Sequence, residues 1–586
     1  MENYTHYLSC FLLFLCAHAL SAQELRPPNI LLIVTDDQGY GDFGFTGNPH
    51  IKTPHLDQLA AESVHLENFY VSPVCAPTRS SLLTGRYSLR TGVHDTYNGG
   101  AIMASEEITL AEVLKEAGYR TGIFGKWHLG DNYPSRPIDQ GFAKSLIHLS
   151  GGMGQVGDFT TYFQGDSSYY DPVLWFNGSP KKYEGYCSDI FASEAMEFIN
   201  ENKDSPFFCY LSFNAPHTPL QVPEEYLQLY QDMDPSVGFA SEYPELDKMT
   251  PKDIEDARRV YAMVTNIDDN IGKILQALEQ WKLTNNTLVI FMTDNGPQQI
   301  RYKSGLRGRK GSVFQGGVKV PCLMRYPAGF TDQKNVGVTA AHIDIFPTIT
   351  DICGITELEE RLLDGRSLLP WIQGNSNETM NRSLFFYWNR RYPEKYSNMA
   401  LQKGSYRLVG QTSYHSSTDQ FQLYDISRDA SEKNNLVSIY PEVAESLRRD
   451  MDSIYGELIQ SPHLKNPPAI GVGTPYENPV VLNRNDASGE RGIWNQESVY
   501  GFWNVDIAEG IYDIRFRFIT PVQDKGKIVL EAGSHLFQQS VEPDGKLYIT
   551  MKNVNLPALK GTLTATLFQH QKNILPFWIE LNRVDL

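Results

Sequence analysis

The sequence predicts an α/β protein: a large mixed, mostly parallel sheet flanked by helices, then a smaller antiparallel-sheet subdomain, then an all-β C-terminal module. Three observations carry this. Apolar runs such as NILLIVT, FFCYLSF and TLVIFMT end abruptly at polar residues, as strands buried on both faces do. Helical stretches with one apolar stripe alternate with these runs, the pattern of parallel strands joined by crossover helices. Beyond residue 380 the runs shorten, alternate in polarity and are punctuated by Gly, Asn and Asp, as antiparallel strands are.

A chain of 586 residues exceeds one hydrophobic core. Residues 1–22 read as a signal peptide, with an apolar run from Phe11 to Ala17 and small residues at Ala19, Ser21 and Ala22. Residues 23–380 form the α/β domain, and 381–460 the smaller antiparallel subdomain. A Pro- and Gly-rich stretch at 461–479 reads as a linker, and 480–586 as a β-sandwich-like module. No later segment is apolar for long enough to span a bilayer. Export to the periplasm or the medium is therefore expected, in preference to a lipid anchor.

The elements follow in order. After NILLIVT, a helix begins at Pro54, with Leu56, Leu59, Ala60 and Val64 on its stripe. TLAEVLKEAGY carries a capping box, Thr109 with Glu112, a buried face of Leu110, Val113, Leu114 and Ala117, and a stop at Gly118. Residues 251–281 read as one long helix with Ile267, Ile271, Ile274 and Leu275 inward. SLFFYWN, MALQKGSYRLV and FQLYDISRD read as antiparallel strands, followed by a helix near 441–457.

A net charge of −18 excludes nucleic acid as the main partner, since there is no basic surplus to displace counterions. Cys10 and Cys16 leave with the signal, so Cys75, Cys187, Cys209, Cys322 and Cys353 remain. Five scattered cysteines do not make a disulfide scaffold. Cys209 and Cys322 sit in strand-like runs and read as core. Cys75, between Pro73 and Pro77 and ahead of Arg79, is the thiol to explain.

Polar residues gather where buried strands end, which is where open α/β sheets bind ligands. Asp36 and Asp37 end the first strand; Asp294 and Asn295 end another. An Asp-Asp pair alone is as readily a cap or turn. Two such sets, each closing an apolar strand, make a hard oxygen site suited to Ca²⁺ or Mg²⁺. Lys126 and His128 lie two apart in GKWHLG, His217 follows a strand in APHTP, and Lys310 sits in the glycine-rich LRGRKGSVFQGG. Alone, each of these is an ordinary surface residue.

Together these segments resemble the type I, formylglycine-dependent sulfatase family of the alkaline phosphatase-like superfamily. CAPTRSSLLTGR carries its Cys-x-Pro-x-Arg core, and GYRTGIFGKWHLG its second signature. DDQGYGD, APHTP, TDNG and LRGRKGSVFQGGVKVP match further blocks in the family's order, over residues 27–460. The resemblance implies that a formylglycine-generating enzyme oxidises Cys75 during export, and that the aldehyde hydrates to a gem-diol. One hydroxyl then attacks sulfur, and deprotonating the other expels sulfate. It further implies that Asp36, Asp37, Asp294 and Asn295 bind calcium, in preference to magnesium, together with modified Cys75. Arg79 and Lys126 would hold the diol and the oxygens near the metal. His128 would act as the base, and His217 and Lys310 would bind sulfate and assist the leaving oxygen. Thr78 stands where Ser is commoner, and Gln315 where Glu is frequent.

The expected substrate is a sulfated polysaccharide or oligosaccharide, such as an ulvan- or carrageenan-like algal glycan. Aromatics in 148–178 (Tyr162, Phe163, Tyr169, Tyr170, Trp175) would offer stacking faces, and Arg301, Arg307, Arg390 and Arg391 could meet further anionic groups. The alternatives are a formylglycine-dependent phosphonate or phosphodiester hydrolase and a catalytically silent glycan-binding protein.

Overall fold

The strand NILLIVT, β1 (Asn29–Thr35), is buried along its whole length. It lies near the middle of a ten-stranded sheet in this computed structural model, which describes residues 26–237, 248–330, 335–356, 361–376, 378, 380–569 and 572–586. The expected signal peptide, with Cys10 and Cys16, falls outside the described residues.

The other strands are β2 (Val64–Tyr70), β3 (Arg120–Lys126), β4 (Lys144–His148), β5 (Val173–Phe176), β6 (Ser179–Lys182), β7 (Phe207–Ser212), β8 (Thr287–Thr293), β9 (Cys322–Arg325) and β10 (Asn335–Ala341). Their order is β10-β2-β9-β8-β1-β7-β3-β4-β5-β6. The central five, from β8 to β4, are parallel. β9 runs antiparallel between β8 and β2, so β2 points the same way as the central strands. The carboxyl ends of β1, β2, β3, β7 and β8 therefore share one edge.

Helices Pro54–Ala61, Cys187–Glu201 and Pro251–Gln280 cover one face of the sheet. Helices Cys75–Thr84, Leu110–Glu116 and Ile345–Ile352 cover the other. The capping box at Thr109 forms, with Thr109 Oγ1 accepting from the Glu112 amide at 3.2 Å and Glu112 Oε2 accepting from the Thr109 amide at 2.7 Å. The long helix starts with a second one, Thr250 with Asp253, and buries Ile267, Ile271 and Ile274. The helix beginning at Pro54 stops at Ala61, so Val64, expected on its stripe, instead opens β2. β-branched Val64 has a better fit on a half-buried strand than in a helix.

Strands Ser383–Tyr387, Met399–Lys403, Tyr406–Gly410 and Gln422–Asp425 form a four-stranded antiparallel sheet packed on helix Pro441–Leu458. The C-terminal residues form two further sheets whose inward residues share one core. The stretch read as a linker is built into this part. Ile470–Val472 pairs with Gly501–Ile507, and Glu477 accepts from the Tyr133 amide at 2.7 Å. Its prolines and glycines shape turns between anchored points. Ile102 of the α/β part lies within the module's core, and Tyr133 stacks on Tyr476 at 4.8 Å. Among the described residues no helix is long and apolar enough to cross a membrane.

Candidate active site

The register of β1 against β8 pairs Thr35 with Thr293. The next residues, Asp36 and Asp294, are thus delivered side by side, with Asp37 and Asn295 behind them. The Asp37 amide donates to Asp294 Oδ1 at 3.2 Å, and Asn295 Nδ2 donates to Asp37 Oδ1 at 2.8 Å. Asp37 holds φ at 62°, a left-handed conformation that costs a non-glycine residue about 1–2 kcal/mol and persists where surroundings enforce it. All four side chains are buried.

Cys75 is the first residue of the helix Cys75–Thr84, five residues past the end of β2, and is buried. Thr78 Oγ1 accepts from the Ser72 amide at 3.1 Å and donates to Ser72 O at 3.3 Å, clasping the loop that delivers Cys75. Threonine serves that clasp as serine would. One turn along, Arg79 reaches back under the site. Its Nη2 donates to Asp294 Oδ2 at 2.8 Å and its Nη1 to Lys126 O at 3.1 Å and to Ser212 Oγ. Lys126, the last residue of β3, donates Nζ to Asp36 Oδ2 at 2.5 Å. Lys310 Nζ lies 2.7 Å from Asp37 Oδ1. Three carboxylates thus face three cationic side chains, and their charges cancel.

His128 also has a left-handed backbone, with φ at 61°. Its Nε2 lies 2.7 Å from Thr96 O, the geometry of a donated hydrogen bond, and Nδ1 has no partner among the described residues. Burial, with the nearby Lys126 charge, pushes its pKa well down, so the ring is neutral with an open lone pair. His217 Nδ1 lies 2.7 Å from Thr218 O, while Nε2 is 3.9 Å from Asp37 Oδ2. Burial and Lys310 push His217 down to about 3. Both rings press on the loop HLSGGMG: a Cβ at Gly151 would meet His128 Cε1 at 2.6 Å, and one at Gly152 would meet His217 Cε1 at 3.0 Å. Only glycine leaves space for His128 there.

Burial pushes the Cys75 thiol up, although Lys126 and Lys310 oppose the shift. Asp37 is held well below the usual carboxylate range: burial alone would raise it, but the charge of Lys310 and the hydrogen bonds from Lys310 and Asn295 prevail. Asp294 is raised to about 6 by burial and by Asp36, against the pull of Arg79.

Asp36 Oδ1, Asp37 Oδ2 and Asn295 Oδ1 are buried with no hydrogen-bond partner among the described residues. Buried acceptors in this state are costly unless a ligand completes them. Asp36, Cys75 and Asp294 offer ligand atoms within 4.8 Å of one another, as do Asp36, Asp37 and His217. A hard divalent cation fits this oxygen-rich set, with Asp36, Asp37, Asp294 and Asn295 as its holders.

A cavity of about 350 Å³ opens above Cys75, lined by His128, His217 and Lys310 and walled by Tyr97, Trp388, Arg390 and Trp494. Several residues expected around it do other work. Arg301 is buried beneath the site, donating Nη2 to Asp42 Oδ2 at 2.6 Å and to Asp37 O at 2.7 Å, so it braces the Asp37 loop instead of meeting substrate. Arg301→Ala is accordingly expected to destabilise the fold by about 3–5 kcal/mol by stranding buried Asp42. Urea denaturation checks this, and a substrate-only role would leave the midpoint unchanged. Arg307 lies over Phe314 at 3.9 Å and donates to Tyr424 Oη at 2.8 Å. Arg390 is in the pocket wall but paired with Asp95 at 2.7 Å; Arg391 donates its amide to Asp95 Oδ2 at 2.8 Å.

The loop aromatics line no part of this cavity, and most of them pack against other side chains, Phe163 alone staying half exposed. Tyr162 and Phe163 meet Phe577 of the C-terminal module at 4.8 and 5.2 Å, and Tyr169 donates its hydroxyl to His217 O at 2.7 Å. Tyr170 packs on Tyr186 at 5.4 Å and Trp175 on Phe159 at 5.9 Å. Gln315 faces away from the cavity, its amide donating to Glu432 Oε2 at 2.7 Å and its Nε2 to Ala430 O at 2.8 Å. Among residues the sequence reading missed, Asp42 lay within the quoted DDQGYGD block. Ser212, Tyr97, Trp388 and Trp494 carry no pattern of their own.

An α/β sheet with this ring of carboxylates, cations and a helix-borne Cys at its strand ends has the make-up of a metal-assisted hydrolase of anionic esters. The sulfatase family profile matches residues 28–355, and that of the C-terminal part of N-sulphoglucosamine sulphohydrolase matches 309–456. The chain belongs to the sulfatase family and hydrolyses sulfate esters. It is 31% identical to human arylsulfatase A over 493 residues, covering 74% of this chain and 89% of the relative. It is 32% identical to human N-acetylgalactosamine-6-sulfatase over 389 residues, covering 62% of this chain and 68% of the relative. Among solved structures, Ps i-CgsB in complex with k-i-k-neocarrahexaose superposes with a TM-score of 0.64 at 28% identity, covering 75% of this chain and 94% of that one.

Proposed function

We propose that this sulfatase removes sulfate from a sulfated carbohydrate, of the kind found in carrageenan-like algal glycans, using a formylglycine made from Cys75 and a bound calcium ion. The observation that carries the reading is the setting of Cys75: a thiol whose pKa is raised, at a helix start, among three carboxylates and three cations. A protonated thiol is a poor nucleophile. The hydrated aldehyde supplies one hydroxyl to attack sulfur and a second whose deprotonation expels sulfate. Calcium, held by Asp36, Asp37, Asp294 and Asn295, supplies charge that acidifies the hydroxyl and favours anionic oxygens. Because the side-chain charges already cancel, the cation leaves the pocket net positive, which suits a sulfate ester.

The chain's own residues divide the remaining work. Arg79 and Lys126 fix the carboxylates and the end of β3 beneath residue 75. His128, neutral with Nδ1 open, takes the proton from the second hydroxyl. Lys310 and His217 line the same cavity and bind the sulfuryl oxygens. His217 is neutral in the free site, but an arriving sulfate opposes the charge of Lys310 and raises its proton affinity. His217 then donates to the leaving oxygen. His217→Ala is accordingly expected to cut turnover of an alkyl sugar sulfate about 100-fold or more, and of 4-nitrophenyl sulfate about tenfold or less. Equal losses on both would remove His217 from the acid role.

The carbohydrate reading is supported by the aromatic walls of the cavity and by the neighbour solved with a neocarrahexaose. We also propose export, on the apolar run Phe11–Ala17, with maturation by a formylglycine-generating enzyme. Inorganic sulfate release from a panel containing k-i-k-neocarrahexaose, sulfated amino sugars, 4-nitrophenyl sulfate and an aryl phosphodiester tests the substrate class. Activity confined to the aryl sulfate, or greater on the phosphodiester, contradicts it.

A further inference from the structure

Two residues of the C-terminal module, Asn485 and Trp494, line the same cavity as Cys75, His128, His217 and Lys310. They are firmly carried there. Between them and the module's core, buried Arg484 donates Nε to Pro576 O at 3.0 Å, Nη2 to Leu575 O at 2.6 Å and Nη1 to Gln496 O at 2.7 Å. Asn483 Nδ2 donates to Asp131 Oδ2 of the α/β part at 2.9 Å, and the Gly99 amide donates to Asn485 O at 3.3 Å. With Ile102 inside the module's core, the module is fused to the catalytic part and cannot swing as an independent appendage.

Trp494 stacks on Tyr97, with centroids 5.4 Å apart and planes 20° apart. The Arg390 guanidinium lies 4.4 Å over Tyr97 and 4.9 Å over Trp388. The row Trp494, Tyr97, Arg390, Trp388 therefore forms a continuous rim above Cys75. Arg390 is neutralised by fully buried Asp95, so the rim offers flat π faces without excess charge. Asn485 is itself buried, so it closes the floor of the rim at the module's edge. Flat apolar faces without excess charge suit a ring with C–H faces better than a second sulfate.

We propose that this rim is the sugar subsite of the enzyme, with Trp494 stacking on the pyranose ring. The C-terminal module is thus a specificity wall of the active site. The inference rests on the carbohydrate reading above, and the two fail separately. A wild-type enzyme that releases no sulfate from any saccharide overturns the substrate class, and with it the subsite, before any variant is made.

Deleting the module would uncover Ile102 and report only on folding, so the test is made in the full chain with Trp494→Ala and Trp494→Phe. Trp494 is partly buried against Tyr97, so the thermal midpoint of each variant is measured beside its kinetics, and Trp494→Phe is expected to keep the wild-type value. With k-i-k-neocarrahexaose as substrate, Trp494→Ala is expected to raise KM about tenfold while kcat stays within about threefold. Trp494→Phe keeps a stacking face and should return KM to within about threefold of wild type. The desulfated saccharide should perturb the tryptophan fluorescence of the wild type, and less so that of Trp494→Phe, in which Trp388 is the remaining tryptophan of the rim. An unchanged KM in Trp494→Ala overturns the proposal. So does a loss of kcat that Trp494→Phe fails to restore, which would mark Trp494 as merely structural.

Discussion

Cys75→Ala is expected to lower sulfate release by about 10⁴-fold or more with little change in thermal stability. Its side chain is small and buried among polar groups, so its removal leaves a minor void and a methyl group that the maturation enzyme cannot turn into an aldehyde. Cys75→Ser discriminates further. A serine keeps a hydroxyl in place and the ionic frame of Arg79, Lys126 and Lys310 intact, yet it is not a substrate for a Cys-acting maturation enzyme. If a simple side-chain nucleophile sufficed, the serine variant would retain measurable turnover. The present account expects it to be as inactive as the alanine variant. Sulfate release against a sulfated oligosaccharide, read beside thermal unfolding, separates the two.

Chelation of divalent cations is expected to abolish activity, and calcium to restore it with a pH-dependent gain in stability. The sign follows from Asp294. Its folded pKa is raised from 3.8 to about 6, so stability present below the lower value is lost as pH rises through the upper one. That loss is roughly 3 kcal/mol in the cation-free protein. Calcium beside Asp294 and Asp36 relieves the repulsion, and at low pH it must first displace a proton. The calcium-induced rise in thermal midpoint should therefore be larger at about pH 7.5 than at about pH 5, with magnesium giving a smaller rise at equal concentration. A midpoint indifferent to chelation at both pH values would remove the cation from the site.

The parallel sheet was legible because its strands are buried on both faces. NILLIVT and TLVIFMT read as unbroken apolar runs, and the residues that end them, Asp36 and Asp294, announce the strand edge where chemistry gathers. Lys126, His128, His217 and Lys310 could be singled out for the same reason, since each ends or follows a strand or sits in a glycine-dense loop, and the structure brings them to one cavity edge. What the sequence concealed depends on packing between distant segments. Arg301 has the same composition cue as an anion-binding arginine, but 259 residues separate it from Asp42, the partner that buries it. Tyr162 and Phe163 have the aromatic faces of a sugar platform and spend them on Phe577. Conversely Trp494, in RGIWNQ, has no motif around it, and only the fusion of the module to the α/β part brings it over Cys75. The Pro- and Gly-rich stretch at 461–479 misled similarly. Turn-forming composition marks where the chain bends, and whether the bends are anchored depends on partners such as Tyr133.

The central claim is that the thiol of Cys75 is a precursor, and mass spectrometry of the active protein tests it most directly. The tryptic peptide containing Cys75 is expected about 18 Da lighter than its sequence mass, and to react with an aldehyde-specific hydrazide. An active enzyme whose Cys75 peptide keeps the unmodified mass and alkylates as a free thiol would contradict the account.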